Sequence, residues 1–355
     1  MTSSTTPAPQ VPGVITSWPE VITALIKRHD LSTDQAAWAM NEILGGEASV
    51  AQIAGFAVAL RAKGESIAEV EGLVEAMYAH ATPLPVPGRV LDVVGTGGDR
   101  SFSVNISTMA AIVAAGAGAV VVKHGNRSAS SQAGTADVLE VLGVRLDVPP
   151  QSVADLARTV GITFCFAPAF HPALRHAAAA RRELGVGTTF NILGPLANPA
   201  RPAASMIGCA DRTIAPVMAG VFARRGQDAW VVNGDDGLDE LTTTTTSTVW
   251  AVSHGSVTQH VLDPVALGVP KAEPADLRGG DASHNAGVVT DLLAGKTGPV
   301  RDAVVLNAGA AWAVYADESG SLDDRLVAGM ARAAAAIDSG AARAKLADWV
   351  AATAN

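Results

Sequence analysis

The stretch RVLDVVGTGGDRSFSVNISTMAAIVAAGAGAVVVKHG, Arg89 to Gly125, constrains the fold more than any other part of the chain. It opens on a β-branched apolar run and passes through a turn with Gly95, Gly97 and Gly98. It continues as small apolar residues over helical length and closes on a second β-branched run. DAWVVNG (228–234) and DAVVLNAGAAW (302–312) read as further strands. GTADVLEVLGV (134–144) reads as a helix with its exit, and the alanine-rich stretch 327–352 as helical. Strands alternating with helices predict a mostly parallel sheet flanked by helices, an α/β domain with its ligand loops at the carboxyl ends of the strands.

Before this region the rhythm is helical only. Ser17–Glu20, Ser32–Gln35, Ser49–Gln52 and Ser66–Glu69 have the spacing of capping boxes, each opening a short helix. Gly45 and Gly64 stand where helix C-caps are expected. PLPVPG (83–88) breaks the pattern as a linker. These features predict a small helical-bundle domain over residues 17–88. FHPALRHAAAARRELGVGTTFNILGPLANP (170–199) has two helical stretches and no clear strand, so residues 177–198 are expected to complete that bundle. The large domain would then comprise 89–176 and 199–355, and residues 1–16, rich in Ser, Thr and Pro, read as a disordered tail.

Composition narrows the function. A net charge of −9 argues against nucleic-acid binding, which needs a basic surface, but leaves room for a local cluster that holds phosphate. The longest apolar run, Met109 to Val122, is too short to span a membrane. Cys165 and Cys209 lie far apart in apolar surroundings and read as reduced, buried thiols of a cytoplasmic protein. His171 and His176 read as packing or helix-surface residues.

Four stretches carry chemistry. In GTGGD, glycines at a strand end let backbone N–H groups approach an anion, and Asn105, Ser107 and Thr108 stand at the following helix N-terminus. KHGNRSASSQAGT, Lys123 to Thr135, offers a dense set of donors after the second strand. RRELG carries Arg181 and Arg182. NGDDGLDE places four acids within six residues, of which Asp239 and Glu240 could hold Mg2+ against phosphate oxygens. A glycine cradle, a cationic loop and a carboxylate pair at strand ends together suit a magnesium-bound polyphosphate.

In order and spacing, DVVGTGGD, NIST, KHGNRSASS, RRELG…FNILGPLANP and DGLDELT resemble the anthranilate phosphoribosyltransferases of tryptophan biosynthesis, from about Trp18 to the C-terminus. The resemblance implies a nucleoside phosphorylase/phosphoribosyltransferase type of fold. The implied reaction joins phosphoribosyl pyrophosphate (PRPP) to anthranilate, giving N-(5-phosphoribosyl)anthranilate and pyrophosphate. It further implies two Mg2+ ions per subunit and a homodimer. Matched to the family motifs, Gly95, Gly98, Asp99, Ser103, Asn105, Ile106, Ser107 and Thr108 would contact PRPP. So would Lys123, His124, Gly125, Asn126, Arg127, Ser128, Ala129, Ser130, Ser131 and Thr135. Gly95, Asn126, Arg181 and Pro195 would meet anthranilate, and Ser107, Asp239 and Glu240 would serve the metal. Leaving-group stabilisation would fall to Lys123, Asp239 and Glu240, with no acid–base pair evident. Two positions depart from the pattern: Gly187, where many members carry Arg, and the bulky Arg100 beside the cradle. A pyrimidine nucleoside phosphorylase, or a non-catalytic nucleic-acid-binding protein, could share the fold. KHGN and RRELG match the transferase, and the charge disfavours nucleic acid.

Overall fold

The computed structural model describes residues 17–127 and 132–354; the expected tail and the predicted phosphate residues Ser128, Ala129, Ser130 and Ser131 lie outside them. Among the described residues the chain forms fifteen α-helices and one seven-stranded sheet, divided between two compact units.

The smaller unit begins with α1 (Trp18–Ile26), α2 (Thr33–Gly45), α3 (Val50–Lys63) and α4 (Ile67–His80). Three of the four expected capping boxes form in full: Ser32 with Gln35, Ser49 with Gln52, and Ser66 with Glu69. Ser17 does not cap the backbone; its hydroxyl donates to the Glu20 carboxylate at 2.8 Å instead. The left-handed residue that ends α2 is Gly46 (φ 82°) and not Gly45, which is the last helical residue. Gly64 (φ 90°) follows α3 as expected. Glu69 is fully buried and accepts from Leu31 N–H, Ser66 N–H and Lys63 Nζ, so its charge is compensated where it lies.

The chain then enters the larger unit with β1 (Leu91–Gly95), α5 (Ile106–Gly116), β2 (Val121–Gly125), α6 (Thr135–Val141), α7 (Pro150–Thr159), β3 (Ile162–Phe166) and the single turn α8 (Ala167–Phe170). Residues 171–197 return to the smaller unit, where a 3-10 turn packs on α2, α9 (Ala178–Leu184) on α3, and α10 (Phe190–Leu196) on α4. Back in the larger unit come β4 (Ala204–Gly208), α11 (Ala215–Arg224), β5 (Asp228–Gly234) and the hairpin β6 (Ser247–Ser253) and β7 (Ser256–Leu262). The helices α12 (Ala282–Leu293), α13 (Pro299–Ala316), α14 (Leu322–Asp338) and α15 (Ala341–Ala354) follow.

The sheet runs β3-β2-β1-β4-β5-β6-β7; the first five strands are parallel, and β6 and β7 pair antiparallel at the far end. α5 packs against β1, β2, α13, α14 and α15, which explains why its body beyond Ser107 and Thr108 is apolar.

The stretch 302–312 is helix α13, not a strand. Pro299 opens it, and so many of its residues are buried that no 3.6-residue rhythm remains. Its small residues have a packing role. A Cβ on Gly329 of α14 would lie 2.1 Å from the Gly309 carbonyl oxygen of α13, so only glycine permits this helix crossing. The stretch 327–352 is helical as expected, divided between α14 and α15 at Ser339–Gly340. The strands β3, β4, β6 and β7 carried no clear advance signal.

Candidate active site

From β1 the chain crosses to β2 on one side, while β4 pairs on the other. In open parallel sheets such a reversal leaves a crevice at the carboxyl ends of the strands. Gly95 and Gly208 are register partners at that end of β1 and β4. The acidic turn runs directly over them. A Cβ on Gly208 would lie 1.5 Å from the Asp239 carbonyl oxygen, and one on Gly95 would lie 2.3 Å from Asp239 Oδ2. The two glycines therefore admit the acids to the crevice. Gly97 N–H donates to Asp239 Oδ2 at 2.7 Å, and Thr96 N–H donates to Gly208 O at 2.9 Å. Gly97 and Gly98 both have positive φ, 69° and 86°, which keeps this turn open to them.

The four acids of NGDDGLDE divide by partner. Asp236 accepts from the hydroxyls of Thr242 and Thr244, and Asp235 accepts from Thr246 and Arg212. The threonine run thus satisfies the first two acids locally. Asp239 and Glu240 are carried to the crevice. Asn307 of α13 holds the next residue on both sides, accepting from Leu241 N–H at 3.0 Å and donating to Leu241 O at 2.8 Å.

Charges concentrate here. Asp239 is 7% exposed; burial, then the charge of Asp99, raises its carboxyl to about 7. Burial and the neighbouring Asp239 and Asp99 push Glu240 well above the usual range, although part of its surface reaches solvent. Lys123 is 1% exposed, and burial lowers its ammonium to about 8 against the pull of Asp92, Glu240 and Asp239. Its Nζ donates to Val93 O and, at 3.3 Å, to Ser107 Oγ. Lys123 thus sits within β2 beneath the crevice, whereas the sequence reading set it at the start of the donor-rich loop. Asp92 is wholly buried, accepts from His124 N–H and Asn198 Nδ2 at 2.9 Å each, and is raised to about 6 mainly by burial.

The donors available to a cation are oxygens only: Asp239, Glu240, Asp99 and the Ser107 hydroxyl. Asp99 Oδ2 is buried with no hydrogen-bond partner among the described residues. This set fits a hard divalent ion such as Mg2+. Among the described residues no three of His, Cys, Asp and Glu could hold an ion alone. That suits Mg2+, which usually takes one or two carboxylates together with substrate phosphate and water.

The first amides of α5 already have partners: Ile106 N–H donates to Val104 O at 2.7 Å, and Thr108 and Met109 N–H donate to Asn105 O at 3.1 Å. Asn105 precedes the helix but makes no side-chain capping bond; Ser107 N–H stabilises the Glu240 carboxylate instead. Ile106 is buried in the core, which leaves only its backbone to a ligand. Thr108 is buried with its hydroxyl 3.1 Å from that of Thr135. Asn126 is exposed. Arg127 forms ion pairs with Asp137 at 2.8 Å and Glu140 at 2.7 Å and lies over the Phe166 ring, so its guanidinium faces α6. Ser103 bridges to Arg278 by backbone pairing. Arg100 takes a left-handed φ of 57°, with its side chain exposed.

Arg181 and Pro195 belong to the smaller unit. Arg181 is half-buried over the Phe190 ring, 5.7 Å from its centroid, and Pro195 is buried within α10. Gly187 is exposed, and a Cβ there would meet only Asn191 at 3.8 Å, so nothing steric requires glycine. Asn307 and Asn285, both buried side chains that support these loops, escaped the sequence reading because an asparagine inside a helix gives no local signal.

The α/β domain of the glycosyl transferase family matches residues 87–343, and its helical bundle domain matches residues 19–81. The chain is 70% identical over 341 residues to an anthranilate phosphoribosyltransferase of Nocardioides sp., covering 96% of this chain and all of that one. It is 60% identical to one from Thermobifida fusca, over 94% of this chain and 96% of the relative. The crystal structure of anthranilate phosphoribosyltransferase from Thermus thermophilus superposes with a TM-score of 0.88 at 40% identity, covering 94% of this chain and 99% of that one. The Saccharomyces cerevisiae enzyme in complex with PRPP and Mg superposes with a TM-score of 0.86 at 26% identity, covering 95% and 98%.

Proposed function

Since the chain belongs to the anthranilate phosphoribosyltransferase family, we propose that the loops over the Gly95–Gly208 pair bind PRPP in the transfer that defines the family. The enzyme moves the phosphoribosyl group of PRPP to anthranilate, giving N-(5-phosphoribosyl)anthranilate and pyrophosphate, in tryptophan biosynthesis. The observation that carries the site reading is the passage of Asp239 and Glu240 over two glycines that no Cβ could replace.

The GTGGD amides, Asp99, Ser103, the N-terminus of α5 and the loop from Lys123 to Ser131, with Thr135, would cradle PRPP. Ser107, Asp239 and Glu240 would hold Mg2+, two ions per subunit. When bound, Mg2+ neutralises charge on the departing pyrophosphate. Lys123 adds positive charge from below without leaving its bonds to Val93 O and Ser107. At the ribose C1 the bond to pyrophosphate oxygen breaks, a bond to the anthranilate nitrogen forms, and the amine gives up a proton. An aromatic amine is neutral near pH 7, so attack needs no strong base. Positioning and leaving-group stabilisation would then supply most of the rate. Gly95, Asn126, Arg181 and Pro195 would receive anthranilate, with Arg181 as the fork for its carboxylate.

Loss of anthranilate fluorescence on adding PRPP and Mg2+ tests the activity; phosphorolysis of thymidine in its place would overturn it. Two buried thiols in no disulfide, Cys165 and Cys209, suit the cytoplasm. Exposed Ile26 on α1 with Val50 and Val58 on α3 support a homodimer through the smaller unit. Light scattering should give twice the chain mass at micromolar concentration, and a monomer there would exclude that arrangement.

A further inference from the structure

Asn285 lies in the first turns of α12, is 2% exposed, and hydrogen-bonds Asn105, one of the residues that would meet PRPP. Its Oδ1 accepts from Gly280 N–H at 2.9 Å, and its Nδ2 donates to Asn105 Oδ1 at 2.8 Å. Asn105 Nδ2 in turn donates to Ala133 O at 3.2 Å. The direction of this relay is fixed at both ends. Gly280 N–H can only donate, so Asn285 must face it with oxygen and face Asn105 with its amide nitrogen. Asn105 must then present oxygen to Asn285, and its own amide nitrogen is aimed at the Ala133 carbonyl. The surroundings leave no slack. Gly279 N–H donates to Phe102 O at 2.8 Å, Val104 N–H donates to Leu277 O at 2.9 Å, and a Cβ on Gly279 would lie 2.7 Å from Ser103 O and 2.9 Å from Asn285 Oδ1.

The geometry points to Asn285 as a positioning residue for the transfer: it sets the amide orientation of Asn105 and thereby ties the GTGGD–NIST loop to Ala133, at the described end of the loop that leads into α6. This rests on the reading of those two loops as the PRPP cradle. Asn285 does not touch the reacting atoms. It acts by deciding which end of the Asn105 amide faces Ala133.

The discriminating variant is Asn285→Asp in the full chain. It keeps the volume and the bond from Gly280, and it adds a negative charge that the start of α12 tolerates. It replaces the donor facing Asn105 by an acceptor. Asn105 must then turn its nitrogen to position 285 and set its oxygen against the Ala133 carbonyl. The expected result is a melting temperature within a few degrees of the unaltered protein, with faster hydrogen exchange at amides 133–136 of the ligand-free chain. PRPP affinity by calorimetry with Mg2+ should fall about 10-fold, with KM for anthranilate unchanged. Asn105→Ala should accelerate the same amides, and in that background Asn285→Asp should cost PRPP binding nothing more. Unchanged exchange and PRPP affinity in Asn285→Asp, or an equal loss in both backgrounds, would overturn the assignment. Failure of the unaltered chain to bind PRPP would instead refute the reading of the cradle, and the ligand-free exchange result would still decide the role of Asn285.

Discussion

Asp239 and Glu240 are neighbours in sequence but meet different surroundings. One oxygen of Asp239 accepts from Gly97 N–H, while Glu240 is stabilised by the Ser107 amide at the start of α5. Both are held against mutual repulsion and burial. Asp239→Asn and Glu240→Gln should each lower kcat at saturating Mg2+ by about 30- to 1,000-fold, roughly 2–4 kcal/mol, with an unchanged circular dichroism melt. Wild-type kcat in both variants would reduce these acids to parts of a solvated turn. Arg181 is a different case, a half-buried guanidinium stacked on Phe190. Lysine can neither stack as a plane nor grip a carboxylate with two parallel bonds. Arg181→Lys should therefore lower kcat/KM for anthranilate by about 10- to 100-fold, while PRPP titration without acceptor stays as it was. Loss of PRPP binding would move Arg181 to the phosphate side.

At the scale of elements, the site is made by glycines that let one segment cross another. Gly208 ends β4 with ordinary strand neighbours, and alanine is compatible with such a strand. Its Cβ, however, would fall 1.5 Å from Asp239 O, inside any contact distance. Gly208→Ala should displace the 239–240 turn and break the hold of Asn307 on Leu241. Turnover should drop by at least about 100-fold, and stability by about 1–3 kcal/mol, as for other overpacked positions. A chemical melt together with kcat checks both; near-normal values for both would mean that the turn does not depend on close approach. The same device joins α13 to α14 through Gly309 and Gly329.

For the molecule as a whole, His171 and Ala197 are the first and last residues of the segment that returns to the smaller unit, and the imidazole Nε2–H donates to the Ala197 carbonyl at 2.9 Å. Burial lowers His171 from 6.5 to about 4, with the carbonyl bond partly opposing it. The unfolded chain therefore binds more protons between these values, and stability rises with pH across the window. This contribution is complete above pH 6.5 and is lost as pH falls through about 4, to the extent of about 3 kcal/mol. Urea unfolding from pH 7 to 4 should be steeper for the unaltered protein than for His171→Asn. Asp92, raised by burial, works in the opposite sense between 3.8 and about 6, so the difference between the two proteins is the informative quantity. Parallel curves would show that His171 takes up its proton without disturbing the fold.

Much of this protein was legible from short-range pattern. Ser32, Ser49 and Ser66 bond to backbone three residues on, so their capping boxes need no distant partner. The glycine turn after β1 and the acids before the threonine run are likewise written within a few residues. What local pattern could not express was decided by tertiary contact. Residues 302–312 are buried on nearly all sides, which erases the rhythm that separates helix from strand. Lys123 lies beneath the strand ends because its ammonium meets Val93 O from a neighbouring strand. Arg127 faces α6 because Asp137 and Glu140 come within reach on folding. Asn285 finds Asn105 across 180 positions of sequence, and Asn307 finds Leu241 across 66. The propensities of a segment are its own, whereas the partner of a buried polar group is chosen by whatever the fold leaves within about 3 Å of it.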